Sequence, residues 1–352
     1  MGTLTSLLVL SFLIFFHELG HFLAARFFGV HVEVFSIGFG KKVFSRVVGK
    51  TEYRLAMIPL GGFVQMKGQD DSDPTKTSSD KDSYNTKKPW QRIIILLAGP
   101  FANFLLAFFL YLAIANIGVT KLLPIIGNVG DNTPAKQIGL MKNDKVIEIN
   151  GASVNTWDDL SQFIKKSTGK LLITIQRDKK VKTFMTTPEI KELKTIFGEP
   201  VKKRILGISP IGKTFVLKLT PVETLIFAYD ETLKATTMII TSLQKLIQGV
   251  VPAKELGGVV SIVQVTAQAS EAGIIALFAL TALISVNLGV LNLLPIPALD
   301  GGHIMFNIYE LLTKKAPSKK VLYIMTIAGW VFLLSLMAFT IFNDLFRIFG
   351  GN

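Results

Sequence analysis

The sequence predicts a polytopic α-helical membrane protein with four transmembrane helices, a membrane-associated β-hairpin region and an inserted soluble α/β domain. Three observations carry this. Four apolar stretches, 4–28, 91–115, 273–294 and 321–346, are each long enough to cross a bilayer at about 1.5 Å of rise per residue. The segment between the second and third is polar and rich in strand-forming residues. The 352-residue chain as a whole is 49% hydrophobic with a mean hydropathy of +0.46, too apolar for an ordinary soluble protein.

The first element, residues 1–28, contains LTSLLVLSFLIFFHELGHFLAARFF, and within it His17-Glu18-Leu19-Gly20-His21. On a helix, positions i and i+4 share a face, so both imidazoles point the same way with Glu18 beside them. In this spacing two histidines bind zinc and the glutamate serves as general base. Three ionisable side chains in an apolar span each cost on the order of 2.5–3.5 kcal/mol unless compensated, and a metal compensates all three. A cleaved signal peptide does not fit, because no Lys or Arg precedes the apolar run and cleavage would discard the motif.

Residues 29–90 divide in two. From Val32 to Lys67 apolar and polar residues alternate between glycines, which reads as short strands and hairpins. From Gln69 to Lys88 the composition is that of a polar loop. The second span, 91–115, leads into a module in which PAKQIGLMKNDKVIEINGASV, the helix-like TWDDLSQFIKKS and the strands KLLITIQRD and KKVKTFMTT make a small barrel-like α/β domain, placed at 119–190. In the following segment, 191–272, residues 221–249 show helical amphipathicity, suited to the membrane surface or to the core of the soluble domain. The third membrane element, 273–300, carries Asn287 and Asn292 near its end, then Pro295, Pro297 and Asp300. Polar groups at this depth belong against a bundle interior or a cavity. The fourth span is 321–346.

The formal charge of +13 comes with no nucleic-acid motif, so the expected partner of the basic residues is anionic membrane lipid rather than nucleic acid. Lys41, Lys42, Arg46, Lys50, Arg54, Lys87, Lys88 and Arg92 follow the first span, and Lys314, Lys315, Lys319 and Lys320 precede the last. Basic loops stay in the cytoplasm, which puts both termini and residues 119–272 outside it. By His17 the helix has risen roughly 20 Å from Leu4, so the zinc motif is expected towards the cytoplasmic side. The chain has no cysteine, hence no disulfide, and any zinc must be held by His, Asp or Glu. Two histidines do not complete a catalytic zinc site. By chemistry alone the third ligand is Asp300, set between helix-breaking prolines and two glycines, or His303.

Taken together, His17-Glu18-x-x-His21, Gly99-Pro100-x-x-Asn103 and Asn292-x-x-Pro-x-Pro-x-Leu-Asp300-Gly resemble the site-2 protease family of intramembrane zinc metalloproteases. Pro134-Ala135, Gly139-Leu140, Asp144-x-Val146-Ile147 and Ile149-Asn150-Gly151 resemble a bacterial PDZ module, and a PDZ between the second and third spans points to the regulator-of-sigma-E-protease subgroup of bacterial inner membranes. The resemblance implies zinc held by His17, His21 and Asp300, Glu18 as base, and Asn292 with Asn287 contacting the substrate backbone. It also implies a hairpin around 53–66 that offers a strand edge to the substrate. The implied partners are single-span membrane proteins, such as an anti-sigma factor or remnant signal peptides, trimmed beforehand by another protease. The subgroup's namesake carries two PDZ domains, whereas this chain has room for one. The rival readings are a PDZ-bearing membrane scaffold with a structural zinc, and a transporter. Structural sites are usually closed by four protein ligands, and the chain shows no inverted repeat.

Overall fold

The computed structural model describes residues 2–69 and 78–349, and they fall into two compact units. One comprises 1–114 and 223–352, the other 115–222.

The first unit is built on helices. Among the described residues four are long and apolar enough to cross a membrane: α1 (Gly2–Phe27), α2 (Pro89–Ile117), α7 (Ile274–Asn292) and α9 (Lys319–Phe349). Three more belong to this unit: α5 (Pro221–Ile247), α6 (Val259–Ala272) and α8 (Asp300–Thr313). Ala228 and Ala235 of α5 pack with Ala107, Tyr111 and Ile114 of α2 and with Ala282 and Val286 of α7. The amphipathic 221–249 segment therefore joins the helical unit, and the alternative of a core helix in the soluble domain is excluded. Small residues let the backbones approach, as is usual between membrane helices. Polar side chains join the helices pairwise. Ser6 Oγ donates to Val263 O at 2.9 Å, Ser285 Oγ to Asn103 O at 2.8 Å, and Arg92 Nη2 to Glu310 Oε1 at 2.6 Å. Asp344 of α9 accepts from the backbone N–H groups of Gly258 and Ser261, each at 3.1 Å, and so caps the first turn of α6 from another helix. Neither α6 nor α8 was separated in the sequence, because each is short and abuts a longer apolar run.

The expected short strands are in fact two long ones, β1 (Val32–Val48) and β2 (Thr51–Met66), each folded on itself. Segment 42–48 pairs with 51–56, while 34–37 pairs with 52–55 on one side and with 62–65 on the other. The two doubled-back strands thus lay four segments side by side in one sheet, whose last segment, 62–66, has a neighbour on one side only among the described residues. The bend in β1 falls at Gly38 and Gly40, both at positive φ (90° and 84°); a Cβ on Gly38 would meet Ala56 O and Ile58 O at 2.9 Å. Val32, Phe35, Val64 and Met66 pack against Ala25 at the end of α1 and Ile95 of α2, which seats the sheet on the helices. On the exposed part of the sheet, hydrogen bonds from Lys42 and then Arg54 hold the Glu52 carboxyl down at about 2. Within the expected loop 69–88, residues 70–77 lie outside the described residues, and a short 3₁₀ turn at Tyr84–Thr86 follows with Tyr84 buried.

The second unit opens with β3 (Val119–Leu122), β4 (Ile126–Val129) and a single helical turn, α3 (Pro134–Gln137). Then come β5 (Lys145–Ile149), β6 (Ala152–Ser153), α4 (Trp157–Lys166), β7 (Leu171–Arg177) and β8 (Lys180–Thr186). The central sheet runs β6-β5-β7-β8, all antiparallel. Helix α4 begins at a capping box: Thr156 Oγ1 accepts from Asp159 N at 3.1 Å and Asp159 Oδ2 from Thr156 N at 2.9 Å. Leu160 and Ile164 of α4 close the core over Val146, Ile149, Ile173 and Ile175. Asp144 is fully buried and takes a two-pronged bond from Arg177, Nε at 2.6 Å and Nη2 at 2.7 Å, which also raises the guanidinium's pKa.

The boundary expected at 190 falls short. Beyond it lie β9 (Glu189–Lys194), β10 (Pro200–Ile205), β11 (Ile208–Pro210) and β12 (Thr214–Leu217). Strand β11 pairs with β4 and β12 with β3, and Leu206 is part of the core. These returning strands are too short to announce partners about 80 to 100 residues away in sequence. Because Val119 pairs with Leu217, the chain enters and leaves this unit side by side.

Candidate metal centre and active site

Helix α1 presents His17 and His21 one turn apart, as its sequence requires. Their counterpart comes from the break between α7 and α8. Pro295 and Pro297 cannot continue α7; Leu299 is extended (φ −116°, ψ 165°), and Asp300 becomes the first residue of α8 rather than the last of a membrane helix. A carboxylate there suits the helix's positive end. The three side chains converge: His17 Nε2 and His21 Nε2 each lie 3.3 Å from Asp300 Oδ2 and 3.2 Å from one another.

The donor set fits zinc. His21 Nδ1–H donates to Ile95 O at 2.8 Å, which leaves the Nε2 lone pair facing Asp300. The side-chain amide of Asn103 contacts His17 Nδ1 at 3.1 Å. Turned so that its otherwise unpartnered Oδ1 faces the ring, this amide accepts from Nδ1–H and frees the second Nε2 in the same way. Asp300 Oδ2 is itself buried and accepts no hydrogen bond. Three electron-rich atoms meeting without a proton between them repel one another unless a cation joins them. Ligands about 2.0–2.1 Å from a tetrahedral zinc stand about 3.3 Å apart, the spacing found here.

A cavity of about 100 Å³ opens beside this group. It is lined by the three ligating residues and Glu18, by Gly62, Phe63, Val64 and Met66 of β2, by Leu96 of α2, and by Gln69, Ala298, Leu299 and His303. The one-sided segment of the sheet therefore forms part of the wall. His303, one helical turn after Asp300, faces the cavity without joining the metal group. Asn292 ends α7 and Asn287 lies five residues earlier; neither lines this cavity. Sequence reasoning gave Asn103 no role of its own and overlooked the Ile95 carbonyl. The first was visible as an asparagine in an apolar span; a backbone acceptor leaves no signal.

A buried group of two imidazoles and a carboxylate, its histidines on an apolar helix of membrane-spanning length and a second carboxylate at its side, defines the class of membrane zinc proteins. Within it the chain belongs to peptidase family M50, whose model matches residues 5–336. It is similar to a "putative zinc metalloprotease" of Campylobacter jejuni, with 48% identity over 99% of this chain and 94% of the relative. Proteins of the same description match from Helicobacter pylori, at 38% identity over 98% of this chain and 99% of the relative, and from Clostridium acetobutylicum, at 34% over 96% of each. The chain is a membrane zinc metalloprotease.

Proposed function

We propose that this metalloprotease hydrolyses a peptide bond within or next to the transmembrane segment of a membrane-protein substrate, in regulated intramembrane proteolysis. The observation that carries the reading is that the two histidines of the metal group sit within a helix apolar enough to span a membrane, with Asp300 brought to them at the start of α8 and an open strand edge in the wall of the cavity. His17, His21 and Asp300 hold the zinc. When bound, zinc polarises the scissile carbonyl and lowers the pKa of a water to about 7. Glu18, beside the ligands, would accept a proton from the attacking water and pass it to the leaving amine.

A transmembrane helix hides its amides in its own hydrogen bonds, so the substrate must first unwind. Segment 62–66 of β2 holds the unwound stretch as an added strand, the logic of β-augmentation. Asn292, at the end of α7, and Asn287, within it, contact the substrate backbone in this reading. His303 lines the cavity as a supporting group. The enzyme resides in a bacterial inner membrane with its site towards the cytoplasm and both termini outside, as the basic loops direct. Its substrates are single-span proteins already trimmed by another protease.

The second unit is a PDZ domain in this reading, consistent with its antiparallel sheet, its capped helix α4 and its core. It contains no histidine and no cysteine, so it contributes no zinc chemistry. Its role is to exclude bulky ectodomains.

The test is to co-express the protein, or its Glu18→Gln form, with tagged single-span proteins and map the cleaved termini. Termini inside the apolar segment that vanish with Glu18→Gln support the reading; cleavage confined to soluble loops refutes it. Replacing 120–216 by a two-residue turn tests exclusion. Untrimmed substrates should then be cut, whereas loss of cleavage of trimmed ones with zinc retained would make the domain a recruiter.

A further inference from the structure

At the end of α1 the chain turns into β1, and the β1–β2 turn folds back onto the same place. His31 fixes the closure, its Nε2–H donating to Lys50 O at 2.9 Å, and Thr51 Oγ1 donates to Val32 O at 2.8 Å. Between these elements lies an open cavity of about 490 Å³, lined among others by Arg26, His31, Lys50, Tyr53 and Asp82. Its charges are unevenly matched. Asp82 is already shared between Lys67 Nζ at 2.9 Å and His31 Nδ1 at 3.6 Å. Among the described residues Arg26 and Lys50 form no ion pair; the Arg26 guanidinium lies 5.9 Å over the ring of Phe22. Lys87 stands at the rim, its Nζ donating to Lys81 O and lying 3.8 Å from where a Cβ on Gly29 would be.

The surroundings decide which anion such a cavity suits. Phe27 is 83% exposed and Trp90 44%, and Phe28 packs edge-on against Trp90 at 5.5 Å between ring centres. These aromatics mark the end of one span and the start of the next, the depth of the lipid headgroups. Val47 and Val48, 67% and 55% exposed, extend an apolar strip from the cavity's edge. A small soluble anion gains nothing from that strip, whereas a lipid with a negatively charged headgroup uses both features.

We propose that the cavity between the end of α1 and the β1–β2 turn holds the phosphate of one anionic phospholipid, with Arg26 and Lys50 as its cationic contacts. The acyl chains lie along Phe27 and Val48. Since α1 carries His17 and His21 and the sheet carries the open edge, one bound lipid ties together the two elements that frame the metal cavity.

Native mass spectrometry of the full-length protein, titrated in detergent with phosphatidylglycerol or phosphatidylcholine, tests this. The first phosphatidylglycerol should bind more tightly than the second, and more tightly than phosphatidylcholine. Arg26→Gln with Lys50→Gln should weaken it by about twenty-five-fold, at roughly fivefold per cation facing an anionic lipid. Lys41→Gln with Arg46→Gln, an equal loss of charge elsewhere on the sheet, should leave it unchanged. Lys50→Gln alone, at an exposed turn, gives the same reading at about fivefold should the double variant misfold. Equal loss in both double variants means diffuse surface charge and overturns the site. Displacement of the lipid by millimolar inorganic phosphate overturns the lipid assignment.

Discussion

Gly99→Ala should strip the zinc while leaving the fold standing. A Cβ at this position would lie 2.1 Å from His21 Nε2, 2.5 Å from Cε1 and 2.7 Å from Cδ2. Ordinary contact begins near 3.4 Å, so the ring or the helix must yield by more than 1 Å. The helix is poorly placed to yield: a Cβ on Gly20 of α1 would already stand 2.2 Å from Ala98 O, so α1 and α2 touch backbone to backbone one residue away. The imidazole therefore moves, breaking its 2.8 Å bond to Ile95 O and leaving the position in which it faces Asp300. Metal sites tolerate about 0.2 Å in ligand placement. Loss of a histidine's outer hydrogen bond alone costs about 10–100-fold in metal affinity, and displacing the ligand costs more. Zinc affinity should thus fall at least 100-fold, with a stability loss of about 1–3 kcal/mol from overpacking. Metal content by plasma mass spectrometry after dialysis against a weak chelator reads the first, and thermal unfolding reads the second. Gly169→Ala, with open space around its Cβ, is the control. If Gly99→Ala binds zinc like the parent, the close approach of α2 to His21 is not what holds the site.

Glu18→Gln should retain zinc and fold but lose about 10²–10⁴-fold in turnover, since the amide cannot accept the water's proton; near-normal turnover would reject Glu18 as base. Asp300→Ala should lower both zinc content and activity, while His303→Ala keeps most of the metal. The reverse pattern would exchange their roles. In the second unit, Asp144→Ala leaves the Arg177 guanidinium without its buried partner and should cost about 3–5 kcal/mol, seen as early loss of hydrogen-exchange protection in β5 and β7. Unchanged protection there would mean that the pair contributes little.

Much of the helical unit was legible because its signals are local. An apolar run of sufficient length and a four-residue histidine spacing need no tertiary information. Asp300 could be singled out for the same reason, as a carboxylate between prolines and glycines in an apolar setting. Its neighbour Leu299 shows what local signals miss: nothing marks a leucine as the extended residue that precedes the first turn of a new helix. The double-backed sheet was hidden because 34–37 pairs on both sides, and period-two alternation is the same for one neighbour or two. The end of the second unit was hidden because β11 and β12 have their partners at the unit's beginning. The helix 221–249 had two possible homes by composition, and only the packing of Ala228 and Ala235 chose between them.

The pairing of Val119 with Leu217 bears on how such a chain can change over generations. Paired residues in an antiparallel ladder stand about 5 Å apart, no more than the ends of a tight turn. To the helices on either side, the hundred or so residues hung from that ladder are equivalent to a hairpin loop. A duplicated module, a different module or none can be spliced there without moving either flanking helix. The number and kind of inserted domains can thus vary from one lineage to another, while the metal-bearing helices stay as they are.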